Sequence, residues 1–349
     1  MRESDAATLR LNPLEDPAWD ARLAAWPQAT FFHGSAWSRV LAGAYGYRPC
    51  YFIDNSGAAP ASMIPMMEVD SPLTGRRGIS LPFTDECEPL VSDEASFKKT
   101  YASVVDYARE RKWKYIELRG GHQFLGKAPV STLFYGHELP LSGDVESLFK
   151  RIDPSVRRAI RRAEQAGVTV EFSSQLKAVE FFYTLLCKTR RRLGVPPQPY
   201  SFFQEIHRQV IANGLGWVIL AWNGTVPVAG AVFFLREKKA TFKFGASDDR
   251  FQHLRANNLV MWSAIKKLNS TGFEILDFGR TTVSNEGLRK FKLGWGTIER
   301  TISYTRFDLI RDDFVTVADA SSGWHSGIFR ALPSPLSRLI GMALYKHIA

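Results

Sequence analysis

Two stretches of this chain, roughly 160 residues apart, carry the same order of elements, a spacing far above that of solenoid repeats. In the first, the apolar run Tyr51-Phe-Ile-Asp54 meets a turn at Asn55-Ser-Gly57, a proline at Pro60, and a second apolar run, Met63-Ile-Pro-Met-Met67. In the second, Val218-Ile-Leu-Ala-Trp222 meets Asn223-Gly224, then Pro227, then Ala231-Val-Phe-Phe-Leu235. Each half continues into a long helix and one short strand, Lys114-Tyr-Ile-Glu-Leu-Arg119 in one case and Phe273-Glu-Ile-Leu-Asp-Phe278 in the other. Apolar runs parted by Asn/Gly turns predict strands, and amphipathic runs predict helices. The shared order points to a duplicated domain; a chance likeness between two ordinary α/β halves is the alternative.

The remaining arithmetic bounds the class. A chain of 349 residues suits two domains, each able to bury a core. Hydrophobic content of 45% and charged content of 23% are those of a soluble globular protein. There is no apolar run of about 18 residues, and Met1-Arg-Glu-Ser-Asp5 lacks the apolar core of a signal peptide, so a cytoplasmic location is expected. Cys50, Cys87 and Cys187 are scattered, and the histidines show no metal-ligand spacing; neither a disulfide frame nor a metal is expected. A formal charge of +10 favours a polyanionic partner such as tRNA, a nucleotide-linked precursor or an anionic membrane face.

The first copy is read over residues 1–140, with a helix over 98–111, and the second over 141–306. Asp153 caps a helix with Pro154 at its first position, and Gly167 ends it. Val156, Ile160 and Ala163 face the core, which leaves Arg157, Arg158, Arg161 and Arg162 on the surface, where like charges repel unless an anion is near. A second helix from about residue 176 ends in Arg190-Arg-Arg192 and Gly194. Ser201-Phe-Phe-Gln204 reads as a capping box for a third. An antiparallel meander over 217–222, 228–235 and 240–246 follows, then a helix over 257–269, a strand over 274–278 and a last strand over 299–306. Strand-turn-strand, helix, strand is the core order of the GNAT acyltransferase fold, so the expected class is α/β with mixed sheets in two tandem GNAT-like domains. In the segment 307–349, Leu336, Leu339, Ile340, Ala343, Leu344 and Ile348 recur at helical spacing beside Arg338 and Lys346. Such a helix either lies on the inner face of a membrane or packs back on the first domain.

Chemistry concentrates in Asp277-Phe-Gly-Arg-Thr-Thr282 and Asn285-Glu-Gly-Leu-Arg-Lys-Phe-Lys-Leu-Gly-Trp-Gly296. A loop at a strand's end, with Arg280, Arg289, Lys290 and Lys292 beside Phe291 and Trp295, is suited to an anion or a developing oxyanion. Its glycines, Gly279, Gly287, Gly294 and Gly296, allow close approach or positive φ. The bland reading is a solvated basic turn with two aromatics in the core. Glu117 and Asp277 end equivalent strands; each is either a proton acceptor or an ion-pair partner.

The run Arg158-Ala-Ile-Arg-Arg-Ala-Glu-Gln-Ala-Gly167, Phe244-Gly-Ala-Ser247, Asp277-Phe-Gly279 and Gly287…Phe291-Lys292…Trp295-Gly296, in that order, resembles the FemABX-type aminoacyltransferases. Ser35-Ala-Trp37 and Glu117-Leu-Arg119 resemble their first-domain landmarks. The resemblance implies two GNAT-like domains that move an aminoacyl group from a charged tRNA to an amine of a peptidoglycan precursor. Thr189-Arg-Arg-Arg-Leu-Gly-Val-Pro-Pro-Gln198 is closer to relatives from bacterial polysaccharide and exosortase-linked gene neighbourhoods. It also implies that Lys292 stabilises the tetrahedral oxyanion, that Phe291 holds its ammonium by a cation–π contact, and that Arg39, Arg192 and Lys243 line the cleft for a phosphorylated acceptor.

Ordinary GNAT enzymes rest the pyrophosphate of acyl-CoA on a glycine-bearing loop at a helix N-terminus. The equivalent stretch here, Arg250-Phe-Gln-His-Leu-Arg-Ala-Asn-Asn258, has no glycine, which favours a donor other than CoA. The expectation is therefore aminoacyl transfer from tRNA to an amine of a cell-envelope precursor, with the Arg157–Arg162 stretch on the tRNA and no resident cofactor. The alternatives are an acyl-CoA-dependent N-acyltransferase acting on an amino sugar, and a non-catalytic GNAT pair that binds RNA or membrane.

Overall fold

The computed structural model describes residues 8–54, 60–317, 329–330 and 332–348. The chain divides into two compact units, one within residues 1–134, 302–319 and 344–349 and the other within 135–301 and 320–343. The turn expected at residues 55–57 lies outside the described residues.

In chain order the first unit holds β1 (Leu9–Leu11), α1 (Trp19–Arg22), α2 (Ser35–Tyr45), β2 (Arg48–Pro49), β3 (Tyr51–Asp54), β4 (Ser62–Ile64), β5 (Met67–Val69), β6 (Arg77–Ile79), β7 (Leu90–Val91), α3 (Glu94–Glu110) and β8 (Tyr115–Arg119). After β9 (Thr132–Pro140) come α4 (Val145–Arg151), α5 (Pro154–Gln165), β10 (Thr169–Ser173), α6 (Leu176–Leu193), α7 (Tyr200–Ile206), β11 (Gly216–Asn223), β12 (Val226–Arg236), β13 (Lys239–Ser247), α8 (Ala256–Ser270), β14 (Ile275–Thr282) and α9 (Glu286–Leu293). The described chain closes with β15 (Ile298–Asp308), β16 (Asp313–Phe314) and α10 (Ser334–Tyr345).

In the first unit β1, β3, β4 and β7 form a small antiparallel sheet. A second sheet runs β2, β5, β6 and β8, and β8 then pairs with Tyr304–Asp308 of β15. The single strand expected over residues 63–67 is two strands. Pro65 lacks an N–H for the ladder, and the chain breaks there, with β4 pairing in one sheet and β5 in the other. The helix expected from Lys98 starts at Glu94, because the Asp93 carboxylate caps it by accepting from the Ser96 N–H. Gly78 is needed where it stands: a Cβ there would lie 1.9 Å from Trp113 Cζ3, so the indole packs directly on the β6 backbone.

In the second unit β10, β11, β12 and β13 are antiparallel, and β13 then runs parallel to β14 with α8 between them in sequence. The first unit repeats that step: β6 is parallel to β8, and α3 lies between them. Only that strand–helix–strand step is repeated: β3 and β4 lie in a separate sheet from β8, whereas β11 and β12 lie in the sheet of β14. Ile219, Phe233, Leu276 and Phe278 from the sheet share one core with Leu259, Val260, Ile265 and Leu268 of α8. Asp153 caps α5, with its side chain accepting from Ser155 N, and Ile160 and Ala163 are buried as their spacing predicts.

Two expectations need correction. Helix α7 begins at Tyr200 with Pro199 at the cap position, so Ser201 and Gln204 lie inside the helix and form no capping box. The stretch after Asn285 is the helix α9 rather than a loop, because the Asn285 side chain caps it at Leu288 N and Glu286 pairs with Lys290 one turn on. Helix α10 is present: Leu336, Leu339 and Met342 are 45%, 56% and 57% exposed, Ile340 and Leu344 are half-buried, and His347 just beyond the helix bonds to Ser71 and Arg77.

Candidate active site

The site is built where β13 and β14 part. Their parallel ladder runs from Lys239–Ile275 to Thr241–Asp277 and stops there, although both strands continue. On its other edge β13 shifts register between Phe242 and Phe244, so Lys243 is the extra residue of a bulge, and a bulge re-aims the strand. Sequence reasoning placed Lys243 near the site but missed the bulge, which has no local signature. Lys243 is half-buried, with Nζ 5.6 Å from the Phe244 ring centre.

On the β14 side, Asp277 Oδ1 accepts from Gly279 N at 2.7 Å. Gly279 has φ +68°, a left-handed conformation that turns its carbonyl out of the ladder. That carbonyl and the one on Arg280 accept from Lys292 Nζ at 2.8 and 2.9 Å. Lys292 is 2% exposed, so its charge is held in a largely dry place by two backbone dipoles. Helix α9 delivers it, and the next turn inserts Trp295, which is fully buried between Phe278 and Phe291. Of the four glycines of this segment, Gly279 and Gly296 take positive φ; Gly294 instead allows contact with Val156, and at Gly287, inside α9, a Cβ would meet only Asn285 Oδ1 at 3.9 Å.

Beside the lysine is a polar cluster that the sequence did not reveal. The fully buried His137 ring, from β9, places Nε2 at 3.1 Å from Glu299 Oε2. Glu299 is also gripped by Arg289, whose Nε and Nη2 each donate at 2.7 Å, and Arg289 stacks over Tyr135. Burial and then the Lys292 charge push the His137 imidazole below its usual range, so it is neutral at pH 7. His137 Nδ1, Thr281 Oγ1 and Trp295 Nε1 are buried with no hydrogen-bond partner among the described residues. The pair His137 and Glu299 is 162 residues apart in sequence, and only the fold brings it together.

Helix α5 starts at the same place. Asp153 N donates to Gly294 O at 2.9 Å, and Val156 packs on Gly294. Arg157, Arg158 and Arg162 have no ion pair among the described residues, and Arg161 only lies over Phe149. Arg157 is half-buried, and the other three are exposed. Elsewhere exposed cations are commonly matched, as in Lys177–Glu180, Arg208–Glu205 and Lys238–Glu274. Arg192 is exposed near the end of α6. Arg39 is exposed on α2 in the first unit. Of the two carboxylates weighed as bases, Glu117 is locked by Arg119 at 3.1 Å and Arg306 at 2.6 Å. Burial pushes its carboxyl up, but the two guanidiniums outweigh it and hold it below its ordinary value, so it is an ion-pair partner.

The glycine-free stretch forms a 3-10 turn, Asp249–Leu254, and Arg255 takes φ +58° just before α8. Asp248 anchors this turn: Arg250 and Lys188 hold its carboxyl far below its usual range.

Comparison with known proteins places this geometry. Residues 151–297 match the family model described as an acetyltransferase (GNAT) domain. No curated protein matches the chain in sequence. Among solved structures, FemX aligns with a TM-score of 0.67 at 14% identity, covering 85% of this chain and 96% of its own. A tandem GNAT protein from the clavulanic acid biosynthesis pathway aligns at 0.57 and 9% identity, covering 86% and 98%. The C-terminal domain of a putative lysylphosphatidylglycerol synthetase from Agrobacterium fabrum aligns at 0.54 and 14%, covering 81% and 90%. The second unit thus carries a GNAT acyltransferase domain. The chain has the fold of the FemABX-like tandem GNAT proteins, and it is an acyltransferase.

Proposed function

We propose that this acyltransferase moves an aminoacyl group from aminoacyl-tRNA to an amine of a cell-envelope precursor, with Lys292 at the reacting carbonyl. In that reaction the amine nitrogen attacks the ester carbonyl carbon, the C–N bond forms and a tetrahedral oxyanion develops. Collapse then breaks the C–O bond, and the amine's proton ends on the departing ribose oxygen. A buried ammonium fixed by two carbonyls supplies positive charge with little reorganisation when the oxyanion forms. Asp277, beside the same strand end, is the proposed proton acceptor; Arg280, Trp295, Lys243 and Arg192 of the second unit are proposed for the acceptor substrate.

The observation that carries the tRNA donor is the continuity of α5 with the Lys292 segment. Its first turn is bonded to Gly294, and its unpaired arginines begin one residue beyond Val156. At 1.5 Å rise per residue, Arg157 to Arg162 spans about 8 Å of helix, the scale of successive phosphates beside the reacting end. Bulky residues in the turn before α8 further disfavour the close backbone approach that a pyrophosphate needs. An acyl-CoA-dependent N-acyltransferase is the second reading, favoured by the GNAT domain match and by the start of α8, which has no side-chain cap.

The test is purified protein with charged tRNA and, separately, with acyl-CoA, each with a mixture of amine acceptors. Transfer from tRNA is the expected result. Turnover with CoA alone overturns the donor, and RNA binding without turnover from either donor supports a non-catalytic module.

A further inference from the structure

Helix α10 makes its closest contacts through small residues: Ser337 is 3% exposed, and a Cβ on Gly341 would lie 2.0 Å from the Pro197 carbonyl oxygen. Three of its large apolar residues point to solvent, Leu336, Leu339 and Met342, which form a stripe at three-residue spacing, while Ile340 and Leu344 are half-buried. The stripe borders a depression of about 670 Å³ in the second unit, also lined by Tyr183, Pro199, Tyr200 and Pro335. Leu193, at the end of α6 and three residues before Pro196, is another large apolar side chain, 53% exposed.

The surroundings are cationic. Arg338 lies over the Tyr183 ring at 5.3 Å, Arg191 Nε donates to the Arg330 carbonyl, and Arg192 and Arg330 are exposed. The carboxylate that lines the depression, Glu180, is already paired with Lys177 at 2.8 Å. An exposed apolar stripe of this kind needs a covering surface. The one complementary to Arg191, Arg330 and Arg338, with no unpaired carboxylate lining the depression among the described residues, is anionic. No helix among the described residues is long and apolar enough to cross a membrane.

We propose that this face is an interfacial docking surface for an anionic lipid membrane: Leu336, Leu339 and Met342 enter the headgroup boundary, while Arg191, Arg330 and Arg338 meet lipid phosphates. The proposal does not rest on the identity of the acyl donor. It is tested on the full chain by co-sedimentation with phosphatidylcholine vesicles, with and without phosphatidylglycerol. The expected result is binding only to the anionic vesicles, weakened by salt and reduced at least tenfold by Leu339→Asp with Met342→Asp. Both side chains are already exposed, so the thermal melt of that double variant should match the wild type. Arg158→Ala with Arg162→Ala should leave vesicle binding intact. Three results overturn the proposal: no binding to anionic vesicles at low salt, unchanged binding by the aspartate variant, or a dimer in sedimentation equilibrium that the aspartate variant dissociates, which would assign the face to a second copy of the chain.

Discussion

Lys292 does two things that a substitution can separate. It ties α9 to the end of β14 through two carbonyls, and it holds a positive charge at the place where those strands part. Lys292→Met keeps most of the side chain's volume and removes the charge. Transfer is expected to fall by about 100-fold to 1,000-fold, the usual cost of losing one oxyanion-stabilising group, with circular dichroism still showing a cooperative melt. Activity within a few-fold of wild type would remove the lysine from the chemistry. His137 makes a different prediction. Its folded pKa lies below the unfolded value of 6.5, so as pH falls the unfolded chain takes the proton first. The contribution to stability is complete above 6.5 and is lost on acidification below it. Plotting melting temperature against pH for His137→Gln should therefore give a flatter curve than wild type below 6.5; parallel curves would show that this imidazole titrates normally. At this scale the sequence pointed to Lys292 through its glycine and aromatic neighbours. It could not point to His137, because neutrality comes from burial and the Lys292 charge, and orientation from Glu299, none of which is local.

Among elements, α5 carries the clearest electrostatic signature. Its arginines stay unmatched in a chain that pairs many of its other exposed cations, and like charges one turn apart cost a few tenths of a kcal/mol each unless an anion compensates. For RNA binding measured across a salt series, Arg158→Ala with Arg162→Ala should lower the slope of log K against log salt by about 1.5, roughly 0.7–0.9 for each phosphate that is no longer neutralised. An unchanged slope would show that phosphates do not lie on this helix. The strand–helix–strand step of the first unit offers a packing test. Gly78→Ala forces a methyl group into the Trp113 indole, and such overpacking costs about 1–3 kcal/mol, visible as a lower urea midpoint. Helix boundaries were legible wherever a cap was present, as at Asp153. They were misread where a proline served as cap, at Pro199, and where a side chain capped an unsuspected helix, at Asn285.

For the whole molecule, the units are not contiguous stretches of chain. The first is completed by Tyr304–Asp308, which pairs residue for residue with Tyr115–Arg119 and brings Arg306 to Glu117. A fragment ending at residue 134 leaves β8 as a bare edge and the buried Glu117–Arg119 pair without its third member. It should lack the near-ultraviolet signal of packed aromatics and melt without cooperativity; a sharp transition would show that the returning strand is dispensable. The repeated strand–helix–strand step, the α/β class and the segment that carries the lysine were all readable from residues alone, because periodicity, turns and caps act over a few neighbours. What only tertiary structure decided is where that order folds away from simple alternation. It split one expected strand at Pro65, bulged β13 at Lys243, buried His137 against Glu299 and turned Leu336, Leu339 and Met342 of α10 outward. Each of these is settled by packing between residues far apart in sequence, where the energy of a close contact exceeds any local preference.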